Sequence, residues 1–326
     1  MRSRTLLHRL AWLSLSITLS ITPSLLAQAQ SDAVPAPLGR LVDIGSRKLH
    51  LNCQGSGSPA VIVENGNGSF SIDMALVQPE VAKFTRVCTY DRAGMAWSED
   101  GPVKGTVEQT TDDLHLLLLK AGIRPPYVLV GASIGGIYVR SFQRRFPAEV
   151  VGLVLDDPTS DGGLMYMVGG KDTPIYEMTA ADMATAFKPL IEKPRHYDLP
   201  QEVEEPFDRL PPALRPLRLW AARKFFASMD MRQDLITTES WREEFTALHR
   251  QRLAEPHPLG TLPLIVLGRL QSDMEKRQKD LNDLTALSKV GKLIIVPDSG
   301  HEIHLYQPGV VVTSIHEVVT MARKGK

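Results

Sequence analysis

The pentapeptide Gly131-Ala132-Ser133-Ile134-Gly135 places one hydroxyl between two glycines. The apolar run Val128-Leu129-Val130 precedes it, and a helical pattern from Ile137 to Phe146 follows. A G-x-S-x-G pattern in that context predicts a strand-to-helix turn tight enough to demand small neighbours, with the serine raised at its apex. A helix starting there directs its N-terminal dipole at developing negative charge, and the backbone N–H of Ile134 would face an oxyanion. A serine hydroxyl is inert until a base takes its proton, and the expected base is a histidine on a loop after a late strand. His301 fits, because Lys292–Val296 reads as a strand and Pro297-Asp298-Ser299-Gly300 turns the chain before it. His304, three residues on, is its rival. A serine–histidine pair of this kind does acyl-transfer chemistry. Neither a metal nor a cofactor is expected: no His/Cys/Asp group has ligand spacing, and the glycine-rich Asn65 to Gly68 lacks the G-x-G-x-x-G spacing.

These residues need a scaffold, and the chain alternates short strand patterns with helical ones, which predicts a mostly parallel sheet with helices on both faces. Leu38–Ile44 and Lys48–Cys53 read as a hairpin turned at Gly45-Ser46. Further strands are expected at Ala60–Glu64, Phe84–Tyr90, Tyr127–Val130 and Val150–Leu155. Val107–Ala121 carries Leu114, Leu117, Leu118 and Ala121 at helical spacing and stops at Gly122. From about residue 160 to 260 the rhythm breaks. No strand signal is visible there, prolines are frequent, and Ala213–Met229 and Ser240–Leu253 read as helices. The strand–helix alternation then resumes with Leu262–Leu267, a helical stretch to Val290, Lys292–Val296 and a last helix near Val310–Ala322. Residues 160–260 are therefore expected to be a helical cap inserted after the sixth strand, dividing a core of residues 30–159 and 261–326. An independent helical domain is the alternative.

Residues 1–29 read as a signal peptide: Arg2, Arg4 and Arg9 precede an apolar run from Leu10 to Leu26, and Ala27-Gln28-Ala29 offers a cleavage site. The protein is expected to be exported, periplasmic or secreted. An uncleaved anchor is the alternative, although the run falls short of the roughly 20 residues that span a bilayer. Lys+Arg and Asp+Glu are balanced at 37 each, which leaves no electrostatic footprint for nucleic acid. Export makes a disulfide between Cys53 and Cys88 conceivable, with two buried thiols equally open.

The stretches LHLNCQGSGSPAVIVENGNGS, ALVQPEVAKFTRVCTYDRAGMAWS, PYVLVGASIGGIYVR, FPAEVVGLVLDDP and SGHEIHLYQP resemble the α/β-hydrolase superfamily, in particular its serine hydrolases with a helical cap. The resemblance covers most of residues 48–158 and the C-terminal loop; the cap segment has no counterpart there. It implies an eight-stranded α/β-hydrolase fold with Ser133 as nucleophile, His301 as base, and the Asn67 backbone N–H as second oxyanion donor beside Ile134. Ala132 departs from the histidine relatives commonly carry before the serine. The acid of most relatives follows the seventh strand three residues beyond a glycine, where this chain has Gln271, with Asp273 two further on. A second arrangement in the superfamily puts the acid after the sixth strand, which here ends Leu155-Asp156-Asp157-Pro158. Alternation along the strand separates the two aspartates, and Pro158 forces a turn at Asp157. Asp157 is the expected acid and Asp273 the alternative. Asp91-Arg92 and Trp97-Ser98 resemble a family turn and are read as structural.

The serine at position 133 argues against the carboxylate-nucleophile branches, dehalogenases and epoxide hydrolases. Asn-Gly-Asn-Gly argues against the iminopeptidase loop. A carboxylic ester hydrolase acting on a small ester with an apolar acyl group is expected, the methionines with Trp220, Phe225, Phe226 and Trp241 of the cap suggesting an apolar acyl pocket, with the cap's own core as the alternative place for those residues. Lactone, amide or peracid chemistry on the same residues, or a catalytically inactive binding protein, are the alternatives.

Overall fold

The computed structural model describes residues 34–101, 105–192, 197–229, 231–270 and 274–325. The signal expected at residues 1–29, and Asp273, lie outside them. Among the described residues no helix is long and apolar enough to cross a membrane.

Eight strands form one sheet: β1 (Arg40–Asp43), β2 (Lys48–Gln54), β3 (Ala60–Glu64), β4 (Val87–Tyr90), β5 (Tyr127–Ala132), β6 (Val150–Asp156), β9 (Leu264–Arg269) and β10 (Lys292–Val296). Their spatial order is β1-β2-β4-β3-β5-β6-β9-β10. Only β2 runs against the rest, pairing antiparallel with both β1 and β4. The central strands are buried on both faces, which is why β5 reads as a continuous apolar run. Tyr127 and Leu129 join a core under α1 (Val107–Ala121), α2 (Gly135–Arg145) and α6 (Met274–Thr285). Val128, Val130 and Ala132 face the opposite core, closed by Val311, Ile315, Val318 and Val319 of α7 (Pro308–Lys324). The limits of α1 follow its sequence signals: the Thr106 hydroxyl accepts from the Gln109 N–H at 3.1 Å, and Gly122 closes the helix at φ +73°.

Antiparallel pairing of β2 with β4 sets Cys53 opposite Cys88, and the two are joined in a disulfide with their Cα atoms 4.0 Å apart. The long segment between β6 and β9 is not strand-free. Met165–Val168 (β7) and Lys171–Pro174 (β8) make a two-stranded hairpin apart from the main sheet, turned at Gly169 and Gly170, both at positive φ. Its strands are half-exposed and pair only with each other, so neither buried alternation nor an apolar run marked them; the Gly-Gly pair was the available signal. Helices α3 (Ala180–Glu192), α4 (Arg215–Ala227) and α5 (Met231–Ala254) complete the segment. It packs onto the loop after β4 and onto α2: Lys224 donates to the Ala96 carbonyl at 2.7 Å, and the Trp241 indole donates to the Tyr138 hydroxyl at 2.9 Å.

Candidate active site

Ser133 sits between the end of β5 and the start of α2 with φ +53°, a conformation L-residues rarely adopt. The glycines on either side are there because backbone crowds the turn. A Cβ on Gly135 would lie 2.3 Å from the Glu64 carbonyl oxygen, and one on Gly131 would lie 2.8 Å from that of Gly135. The Ser133 N–H is tied to the Asp156 carbonyl at 2.9 Å, and its own carbonyl accepts from Gly136 and Thr159, at 3.0 and 3.1 Å. The strained apex is thereby held by β6 as well as by its own helix.

His301, on the loop after β10, brings Nε2 to 2.8 Å from Ser133 Oγ. Its Nδ1 lies 2.6 Å from Asp157 Oδ2. With a carboxylate at Nδ1, that nitrogen carries the proton and donates it, leaving Nε2 to accept from the serine hydroxyl. Asp157 turns out of the end of β6 with φ +40°, its N–H bonded to the Leu267 carbonyl at 3.0 Å and its side chain only 1% exposed. Burial alone would raise its carboxyl. The hydrogen bond from His301 and the charge of Arg277 outweigh burial and hold it below the ordinary carboxylate range.

Asp157 has two cationic partners that no sequence motif marks. Arg277, from α6, donates to Oδ1 at 2.6 Å; Arg269, at the end of β9, donates through Nε to Oδ2 at 3.0 Å. Nothing local marks these arginines, since they meet Asp157 across more than a hundred residues of chain.

The Asn65–Gly68 loop closes over the serine: a Cβ on Gly66 would stand 3.2 Å from Ser133 Cβ. Among the described residues the backbone N–H groups of Asn67 and Ile134 have no acceptor. Arg92 fixes the loop from beneath. Its guanidinium donates to the carbonyls of Asn65 and Gly66, each at 2.6 Å, and pairs with the buried Glu64, which also takes the Tyr90 hydroxyl. The Gly66 carbonyl and the Asn67 N–H belong to one peptide, so Arg92 both orients and polarises that donor. The Asp91-Arg92 turn is thus not uniform. Asp91 is an anchor, accepting the Ser71 N–H at 2.7 Å and bonding His50 at 2.8 Å, whereas Arg92 shapes the site.

From the other side, Arg218 of α4 reaches the Gly68 carbonyl at 3.3 Å, pairs with Asp73 at 2.7 Å, and lies between the rings of Phe70 and Phe207. His304 is buried behind the site, its Nδ1 2.7 Å from Asp156 Oδ2. Burial disfavours its charged form, but the hydrogen bond and charge of Asp156 prevail and hold it above its ordinary value. Two cavities adjoin Asn67. One, of about 240 Å³, is lined by Met95, Tyr138, Met229 and Trp241; the other, of about 400 Å³, includes Glu204, Phe207 and Phe226; Phe225 borders both.

A G-x-S-x-G turn after the fifth strand of this sheet and a histidine after its last occur together in a known class. The sequence matches the alpha/beta hydrolase family over residues 57–314, and the chain belongs to that family. A thermophilic esterase from Thermogutta terrifontis superposes with a TM-score of 0.60 at 19% identity, over 87% of this chain and 98% of that one. The enol-lactonase from Burkholderia xenovorans gives 0.58 at 17%, over 86% and 100%. Among curated sequences, the probable transporter efuK of Hormonema carpetanum is 33% identical over 129 residues, 37% of this chain and 18% of that protein. The chain spans less than half the length of the curated relatives it matches.

Proposed function

We propose that this hydrolase-family member cleaves carboxylic esters through an acyl-enzyme on Ser133. The observation that carries the reading is the continuous relay Asp157–His301–Ser133, at 2.6 and 2.8 Å. His301 Nε2 takes the hydroxyl proton as Ser133 Oγ attacks the ester carbonyl. Asp157 holds the imidazole in the tautomer that leaves Nε2 free and balances the imidazolium that forms. The N–H groups of Asn67 and Ile134 receive the oxyanion, a contribution for which loss of one donor costs about 10²–10³ in rate. His301 then passes its proton to the departing alcohol, and water repeats the sequence to release the acid. Asp157 is favoured over Asp273 as the acid because it already bonds Nδ1 of His301.

The substrate we infer is a small ester whose apolar acyl group enters the cavity bordered by Met95, Phe225, Met229 and Trp241, beneath residues 160–260 acting as a cap. Lactones suit the same attack, since their ring carbonyl is an ester. Export of the protein, with residues 1–29 as signal, is part of the proposal and is supported by the Cys53–Cys88 disulfide, a bond that persists in oxidising compartments.

A fluorophosphonate probe tests the reading directly. The purified protein is expected to be labelled and Ser133→Ala not. Absence of labelling in both would favour a binding protein on a hydrolase scaffold. A p-nitrophenyl ester series from acetyl to palmitoyl then ranks the acyl groups.

A further inference from the structure

Resting on that reading of Ser133, His301 and Asp157, we propose that Arg269 and Arg277 are positioning residues for the acid, which by holding both oxygens of the Asp157 carboxylate fix it against His301. All four acceptor directions of the Asp157 carboxylate are used. Oδ1 takes Arg277 Nη2 at 2.6 Å and the Arg269 backbone N–H at 3.3 Å; Oδ2 takes His301 Nδ1 at 2.6 Å and Arg269 Nε at 3.0 Å. Arg277 also donates to the Pro158 carbonyl at 3.2 Å, bracing the turn that carries Asp157. The carboxylate therefore cannot rotate away from His301 without breaking a charge-assisted bond on each oxygen.

The test compares wild type, Arg277→Gln, Arg277→Lys and Arg269→Gln in kcat and KM on a soluble short-chain ester from pH 4 to 9, with fluorophosphonate labelling and thermal midpoint measured on each. Arg277→Gln is expected to lower kcat by about ten- to a hundredfold with KM little changed. Arg277→Lys should recover most of the lost kcat. Arg269→Gln, at a more exposed position, should lower kcat in the same way by less, and it carries the test if Arg277→Gln fails to fold. A folded, labelled variant with wild-type kcat, or one whose loss falls on KM, overturns the inference while leaving the ester reading standing. A wild-type protein that does not label overturns both.

Discussion

Two aspartate–histidine pairs lie side by side in this protein, built from adjacent aspartates and from histidines three residues apart. Asp157 bonds His301 at 2.6 Å and Asp156 bonds His304 at 2.7 Å, each through Nδ1. Beyond that bond they diverge. The His301 side chain is 39% exposed and its Nε2 meets Ser133, whereas that of His304 is 4% exposed and its Nε2 has no partner among the described residues. A carboxylate–imidazole pair is therefore not a catalytic signature in itself. A hydroxyl at the second nitrogen and access for substrate distinguish the two. A third pair, His50 with Asp91, makes the same point: its Nε2 is occupied by the Gly39 N–H at 3.1 Å, which leaves it nothing to deprotonate.

The sharpest way to break this comparison is to remove the members proposed to react. Ser133→Ala or His301→Ala is expected to reduce kcat by about 10⁶, measured on an activated ester, while His304→Ala stays within about tenfold in its folded fraction. The aspartates come next. Asp157→Asn should cost about 10⁴ in kcat through the wrong imidazole tautomer, together with a loss of stability because Arg277 is left without its counter-charge. Asp156→Asn should instead destabilise by about 3–5 kcal/mol in urea unfolding, since it leaves His304 buried without its counter-charge. Equal kinetic losses from the two substitutions would erase the distinction.

The smallest effects are those of pH on stability, and the pairs have opposite signs. His304 is held above its ordinary value near 6.5, so its pairing stabilises fully below that pH and is lost as pH rises through its folded value. Asp157 is held below its ordinary value near 3.8, so its contribution is present above that pH and is lost as pH falls through the folded value. The gap in unfolding free energy between wild type and His304→Gln should therefore narrow from pH 6 to pH 9. The gap for Asp157→Asn should stay constant over that range and narrow only in acid.

How legible the site was varies with the distance over which each residue finds its partners. Ser133 is marked by neighbours two residues away and by the strand and helix that flank it. His301 is marked by the strand before it. Pattern alone narrowed the acid to Asp157 or Asp273 and the base to His301 or His304, because sequence spacing does not say which side chains meet across the sheet. Arg269 and Arg277 were invisible because an arginine near a strand end or on an amphipathic helix is unremarkable until Asp157 arrives from another strand. Arg92 lay in a stretch read as structural, because its partners are backbone carbonyls, which leave no mark in side-chain type.

By itself the sequence determined the alternation of strands and helices, the tight turn at Ser133 and the interrupting segment after β6, since these follow from periodicity and backbone sterics within a few residues. Only the tertiary structure decided that Cys53 faces Cys88, that Met165–Pro174 folds back as a hairpin, and that four arginines brace Asp157 and the loop over Ser133. Those outcomes depend on strand register and on charges meeting across the sheet, and a charged side chain takes its partner from whatever the fold brings within about 3 Å.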